Sequence, residues 1–548
     1  MSMSHLRIAL RNGSAALIVA GLLSAGSLAG AANNNKPAPP PPPKPAAAPA
    51  ARPAPAPASR PTGGGVVQRP GASSPSVYRP TTTGPSANRP TTSSPSVNRP
   101  TTSAPTVNRP TTSSPSAYRP NTASPGINHT VTGSPVTHGG PGMNARGATN
   151  TTFHSPTPRG AVERTTKSGS AVRIGPKGNV RDVHDAKRGM DVHHGLNGNR
   201  RVAVERPDHS RLVAERGRPG YVQRGYSYRG HDFGRRAYYY HGREYNRFYR
   251  GYGYRGLMLN VYAPGFFYGP GFYGWAYNPW AMPIAFGWGW GGSPWYGYYG
   301  GYFQPYAVYP GASYWLTDYM ISQDLQAAYA AHQEAGEVDG APEAAGGPPE
   351  LTPDVKQQIA DEVRNQLALE NDEAQRTAQQ QDIDPGSSGI ARMLADGHPH
   401  VFVAGSALDL VDANGQECAI SDGDALALRT PPPADATAAD LVVLASKGGQ
   451  ECPKNSTVTV QLTDLQEMQN QMRATIDQGL QELQAKQGTG GLPKAPPSAQ
   501  IQPTQPQYAA IAPPPDPNDA ADIQQQAQQA DQSEKEVTAE ASQPSTTQ

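Results

Sequence analysis

The sequence predicts a chain that is largely disordered and low-complexity, carrying small all-β modules and isolated helices. Two compositional facts and one pattern carry that prediction. Gly (59) and Pro (58) together exceed a fifth of the 548 residues, and hydrophobic types make up only 36%. Ordering a backbone costs about 1–2 kcal/mol per residue, which segments so poor in apolar side chains do not offset. Where apolar residues do recur, they alternate with polar ones in short runs broken by Gly or Asn. That is the period of half-buried strands joined by tight turns.

At the N-terminus, Arg7 and Arg11 precede an apolar run, 15–28, too short to span a bilayer. Ala29-Gly30-Ala31 supplies a small-x-small cleavage pattern, so residues 1–31 read as a bacterial-type signal peptide, with an uncleaved anchor helix as the alternative. No Cys follows the run, which excludes a lipid-modified N-terminus of that kind. The expected location is therefore outside the cytoplasm: periplasm, cell envelope or extracellular.

Residues 32–165 read as a Pro-rich disordered stalk. Its first part, KPAPPPPPKPAAAPAARPAPAPASRP, favours an extended polyproline conformation because Pro fixes φ and lacks an N–H. Arg-Pro then recurs every ten residues from 69–70 to 119–120, in units such as TTSSPSVNRP. The units share no apolar face, so they do not stack as a solenoid. A stalk crossing an envelope, with or without O-linked sugar, fits the Ser/Thr/Pro content.

Residues 168–255 are basic and alternate Val or Tyr with polar residues, as in AVRIG, NVRDVHD and RAYYYHG, which predicts a meander of β-hairpins. The formal charge of +2 conceals strong polarity. Through Arg255 there are 35 Lys+Arg against 9 Asp+Glu, and beyond it 11 against 35. A basic segment of this kind meets either a polyanion or the acidic half of its own chain. Arg224, Arg229, Arg235, Arg236, Arg243, Arg247, Arg250 and Arg255, interleaved with Tyr, are the candidate contacts for an anionic envelope polymer or membrane surface. The same pattern suits single-stranded nucleic acid, a less fitting partner for an exported chain. The plain alternative is a twisted hairpin whose Tyr pairs stabilise the sheet. Within the same region, Asp182 and His184, with Asp191 and His193, alternate so that they could meet across a hairpin and hold zinc or copper; a solvated polar face is the alternative.

Residues 256–312 open a stretch, ending at Thr317, that has no Lys, Arg, Asp or Glu and holds all six Trp. Gly and Pro interrupt it too often for a membrane helix. Exposed, so many rings would be a liability, and they are expected to be covered. A helix is predicted over 313–336, and a second, amphipathic helix over 352–380. The latter starts from the Thr352-Pro353 cap and shows Val355, Ile359, Val363 and Leu367 every four residues. So narrow a stripe fits a partner helix, and self-association through helices is one expectation.

Residues 398–465 hold five candidate strands with turns at Asn-Gly, Asp-Gly and Gly-Gly. Within them, 418–428 (CAISDGDALAL) resembles the diverging turn of SH3-like barrels over a segment of about 70 residues. The resemblance implies a five-stranded SH3-like β domain, as in bacterial modules that bind peptides or cell-wall components. Phe402 is the lone aromatic there, so the Pro-rich ligand binding of eukaryotic SH3 domains is not implied. Cys418 and Cys452 are the only cysteines and lack C-x-x-C spacing. In an oxidising compartment they are expected to pair, the alternatives being free thiols or an intermolecular bridge. Such a bridge would add roughly 3 kcal/mol. Thr463 to Gln466 forms a capping box for a helix over 463–486, and 487–548 reads as a disordered acidic tail.

Two G-x-G-x-x-G matches, at Gly251 and Gly287, lack the strand, the helix and the later carboxylate of a dinucleotide site, and there is no H-E-x-x-H, G-x-S-x-G or Walker loop. No cofactor and no catalysis are expected. The layout looks like exported bacterial proteins that join low-complexity N-termini to small β modules. The expected function is a non-catalytic envelope or surface protein, structural or adhesive, binding an anionic polymer or protein partners. The alternative is a secreted metal-binding protein or enzyme using 182–194.

Overall fold

A computed structural model describes Phe153 and residues 156–336 and 350–543. The chain divides into two units, Met1–Pro125 and Gly126–Gln548, and every described residue belongs to the second. The expected signal peptide (1–31) and the ten-residue repeats lie outside the described residues, as does most of the stalk (32–165).

Ten strands open the described chain: β1 (Val162–Thr165), β2 (Ala171–Ile174), β3 (Val180–Asp185), β4 (Met190–His194) and β5 (Arg200–Glu205), then β6 (Arg211–Glu215), β7 (Gly220–Tyr228), β8 (His231–Tyr240), β9 (Arg243–Tyr254) and β10 (Leu257–Ala263). They form one antiparallel sheet in sequence order, each strand bonded to the next. The turns explain the regularity. Arg229-Gly230, His241-Gly242 and Arg255-Gly256 each place two successive residues at positive φ, the two-residue turn whose twist matches that of the flanking strands. The shorter hairpins before them turn at Gly169, Gly178, Gly189, Gly198, His209 and Gly217, again at positive φ.

Next come α1 (Pro270–Tyr277), β11 (Pro279–Ile284), α2 (Pro294–Tyr299), β12 (Tyr309–Gly311), α3 (Ala312–Ala335), α4 (Pro353–Ala378) and α5 (Ile390–Ala395). The Thr352 side chain caps α4 by accepting from the Val355 N–H. Six further strands follow: β13 (His400–Val403), β14 (Leu408–Asp412), β15 (Glu417–Ile420), β16 (Ala425–Leu428), β17 (Ala438–Ala445) and β18 (Thr457–Gln461). They pair antiparallel in the order β13-β16-β17-β18-β14-β15. The run CAISDGDALAL contributes two strands, because the backbone turns at Gly423 (φ +87°) between β15 and β16. The chain ends with α6 (Leu462–Lys486), α7 (Gln507–Ala510) and α8 (Asp519–Ser542). No helix among the described residues is long and apolar enough to cross a membrane.

The fold class expected from composition is corrected here. The described residues are not a largely disordered chain with small separate β modules and isolated helices. They build a ten-stranded sheet and a six-stranded sheet packed onto shared helices. One core joins Phe233 and Phe248 of the first sheet, Trp315 and Leu316 of α3, Ile359 and Val363 of α4, Val401 and Ala427 of the second sheet, and Ile476 and Leu480 of α6. The uncharged stretch supplies its centre: Trp280, Trp295 and Trp315 are buried, and Trp288 stacks on Trp290 and on Trp315 with ring centroids 4.4 and 4.7 Å apart. Composition misled because Gly-rich segments with so many rings bury large area per ordered residue.

The acidic tail departs from expectation for a second reason. Ile523, Ala527, Ala530, Val537 and Ala541 repeat along one side of α8 and cover the apolar face of β2–β7, against Val172, Val183, Val192, Val202 and Leu212. Its carboxylates meet the sheet's arginines. Glu534 bonds Arg200, Asp522 bonds Arg206, and Asp519 takes both terminal nitrogens of Arg224 at 2.6 and 2.8 Å. Neither half of this interface is visible from the tail alone.

Candidate functional site

Charge pairing between the basic and acidic halves places the arginines singled out above. Arg224 is held by Asp519, and Arg236 forks onto Glu467 at 2.7 and 2.6 Å while its guanidinium lies 4.0 Å from the Tyr249 ring centre. Arg247 donates to Gln471, Arg229 to the Gln380 carbonyl, and Arg255 to the Pro433 and Ala436 carbonyls. Arg235 is buried, and both burial and the nearby Arg224 pull its pKa down. Arg243 stands exposed beside the β8–β9 turn. The guanidinium groups are thus directed mainly into the protein, and an external polymer meets few of them.

The hairpin β3–β4 sets Asp182 opposite His193 and His184 opposite Asp191. Each histidine gives its Nδ1 to the facing carboxylate at 2.6 Å, and His193 Nε2 lies 3.2 Å from Asp409. A ring whose two nitrogens both face carboxylates is a poor ligand, since a metal requires a neutral nitrogen lone pair. No group of three or more His, Cys, Asp or Glu side chains among the described residues is arranged to hold a metal ion. Burial opposes the charged form of His193, but its hydrogen bonds to Asp182 and Asp409 prevail and push its pKa from 6.5 to about 9. A raised pKa contributes stability that is complete below the unfolded value and lost as pH rises through the folded one. The urea midpoint of the protein is expected to fall between pH 6.5 and pH 9, and His193→Gln to flatten that slope. The ring is 32% exposed, which keeps the effect modest. An unchanged slope in the variant would show that the pairing does not form in solution.

A different region has the geometry of a binding site. A cavity of about 650 Å³ lies where the far ends of β7–β9, the start of α1, the end of α4 and the segment 501–508 converge. Local structure fixes each wall. The Arg229-Gly230 turn ends the β7–β8 ribbon, and α4 stops where Gln380 enters positive φ (57°). Phe267 and Thr504 exchange two backbone hydrogen bonds of 2.9 and 2.8 Å, pinning the 501–508 segment to the chain beyond β10. Tyr508 is anchored twice, its hydroxyl donating to the Pro264 carbonyl and its own carbonyl accepting from the Tyr226 hydroxyl. Its ring stacks on Phe233 with centroids 5.0 Å apart.

Arg250 of β9 lines this cavity and is only 3% exposed. Its terminal nitrogens are enclosed by protein, with Glu373 Oε1 3.7 Å away and the Tyr508 ring centre 5.8 Å from the guanidinium. Glu373 is engaged elsewhere: Arg473 donates to it at 3.0 Å, and the Ser388 hydroxyl also donates to it. Burial raises the Glu373 pKa, but Arg473 and Arg250 outweigh it and hold the group ionised. Glu370 and Asp477 also lie near Arg473; burial, and then the nearby Asp477, push the Glu370 pKa well above the usual carboxylate range. Tyr268 also lines the cavity, with its hydroxyl enclosed by protein.

Of these residues, sequence reasoning singled out Arg229 and Arg250, as two basic residues among eight. Tyr508 carried a legible signal, being the only aromatic residue after position 487. Glu373 and Tyr268 carried none, since each sits in a run of similar residues. No protein-family model, no curated protein and no solved structure matches this chain.

Proposed function

We propose that the chain is an exported, non-catalytic binding protein of the cell envelope, with the Pro-rich stalk (32–165) as a tether and the cavity beside Arg250 as its ligand site. One observation carries this reading: the cavity is the size of small-molecule sites, and its lining joins the rings of Tyr228, Phe233, Phe267 and Tyr508 to polar side chains, many of them glutamines. The Cys418–Cys452 disulfide fits an oxidising compartment. Internal neutralisation of the arginines favours a discrete pocket over a broad cationic adhesive face. The reading as a metal protein loses support because His193 faces carboxylates at both nitrogens.

Native mass spectrometry of the full chain, incubated with small molecules extracted from bacterial envelopes, tests it. One adduct per chain is expected. It should disappear in Thr377→Trp, which fills the cavity from a half-exposed position on α4. An adduct that persists unchanged in that variant, or no adduct from any extract, overturns the reading.

A further inference from the structure

We infer that the cavity takes a neutral saccharide, whose hydroxyls bond to glutamine amides while the C–H faces of its rings lie against Tyr228 and Ile501. The inference rests on reading the cavity as a ligand site and names the class of molecule that site selects.

Three features point to this chemistry. First, seven lining residues are glutamines, and the fold gathers them from two distant stretches, 375–381 at the end of α4 and 502–507. Gln375, Gln379, Gln381, Gln502 and Gln505 are exposed, and their amides make no hydrogen bond to another described residue. The buried Gln366, Gln466 and Gln469, by contrast, use their amides inside the fold. Gln507 is held in place, its Oε1 accepting from the Tyr228 hydroxyl at 3.1 Å. An amide sets a donor beside an acceptor, and a sugar hydroxyl both donates and accepts, so amides along an edge match a row of hydroxyls. Each exchange of water for a hydroxyl gains little by itself, so selectivity comes from the number of amides.

Second, the charges of the lining are matched. Arg229 and Arg250 stand against Asp232 and Asp382, with Asp382 3.7 Å from Arg229 and Glu373 3.7 Å from Arg250. A charged ligand would lose its hydration here without gaining a net counter-charge, and a neutral one avoids that cost. Third, the accessible apolar part of the wall is narrow. Phe233, Phe267 and Tyr508 are buried and back the wall, whereas Tyr228 and Ile383 are half-buried and Ile501 is 57% exposed. A long alkyl chain needs a broad apolar wall. A pyranose presents a small C–H face bordered by hydroxyls, which suits an apolar strip bordered by amides.

Maltotriose, cellotriose and tri-N-acetylchitotriose are neutral, trigalacturonate is a similar chain carrying carboxylates, and an uncharged Pro-rich hexapeptide represents the other polar class. Their affinities for the full chain, measured by ligand-observed NMR titration, separate the possibilities. At least one neutral trisaccharide is expected to bind tenfold or more tightly than trigalacturonate and the peptide, with an affinity that salt leaves unchanged. Gln379→Leu and Gln502→Leu, both at exposed positions, should each weaken it by about 2- to 10-fold, the loss expected for one neutral hydrogen bond, with the melting temperature unchanged. Trigalacturonate binding as tightly as the neutral sugars, or the peptide binding more tightly than all of them, overturns the saccharide assignment and leaves the binding role standing. So does unaltered saccharide affinity in both glutamine variants. If no saccharide binds while envelope extracts still give an adduct that Thr377→Trp abolishes, the inference fails and the reading beneath it survives. If neither saccharide nor extract binds, both fail.

Discussion

Arg473→Met is expected to cost about 3–5 kcal/mol of folding stability at pH 7, the usual result of removing one partner from a buried ionic cluster. Arg473 is fully buried on α6, where it donates to Glu373 of α4 and to the Tyr262 carbonyl of β10. It also lies 3.7 Å from Glu370, so one side chain joins two helices to the first sheet. Met fills similar volume, which isolates the electrostatic loss from a cavity effect. Without Arg473, the buried Glu373 keeps only the more distant Arg250 as a counter-charge. The pH dependence follows from the lowered pKa of Glu373 in the native protein. A depressed carboxylate contributes stability above its unfolded value, 4.5, that disappears as pH falls. The difference between wild type and variant should therefore be large at pH 7–8 and shrink toward pH 4. Urea unfolding at several pH values measures it. A loss below 1 kcal/mol at pH 7 would mean that the cluster is solvated.

Replacing both Cys418 and Cys452 by Ala is expected to destabilise by about 3–4 kcal/mol, from the loop entropy of a bridge spanning 34 residues. The disulfide ties β15, at the edge of the six-stranded sheet, to the connection between β17 and β18. Around it the Cys452 N–H donates to the Ala419 carbonyl at 2.7 Å, and the Ala419 N–H to the Gln450 carbonyl at 3.0 Å. In the variant, this edge should exchange its amide hydrogens faster than β16 and β17 at the centre of the sheet. Uniform acceleration across both sheets would show instead that the bridge supports the whole fold. The same double variant in the cell should fold poorly if the compartment is oxidising, and should behave like wild type if the thiols are never joined.

Much of the local structure is legible in the residues. Alternation in RAYYYHG and the Arg-Gly and His-Gly pairs specify hairpins without outside help, because period two and positive-φ turns are local properties. The four-residue stripe from Val355 to Leu367 marks the buried side of α4, with Thr352 as its cap. Polarity of charge along the chain named two possible partners for the basic half. The choice between them was not legible: Arg236 and Glu467 are 231 residues apart, and Arg224 and Asp519 are 295 apart. Composition also hid α8, since Gln, Ala and Asp predominate in it and its apolar stripe gains meaning only against the face of β2–β7. The cavity was the least legible feature. Its walls come from five separated segments, and only packing brings Arg250 among them.

For the uncharged stretch 256–317, the sequence by itself determined that it contains no charge, breaks too often for a membrane helix and carries every Trp. Tertiary structure alone decided that these rings form the centre of the protein. A ring can be buried only where several elements supply walls at once, and here those walls come from both sheets, α3, α4 and α6. The same holds for charge. Sequence determined that the halves are opposite in sign, and folding decided that they neutralise each other. Pairing then depends on which carboxylate reaches which guanidinium at hydrogen-bond distance, and chain separation does not encode that.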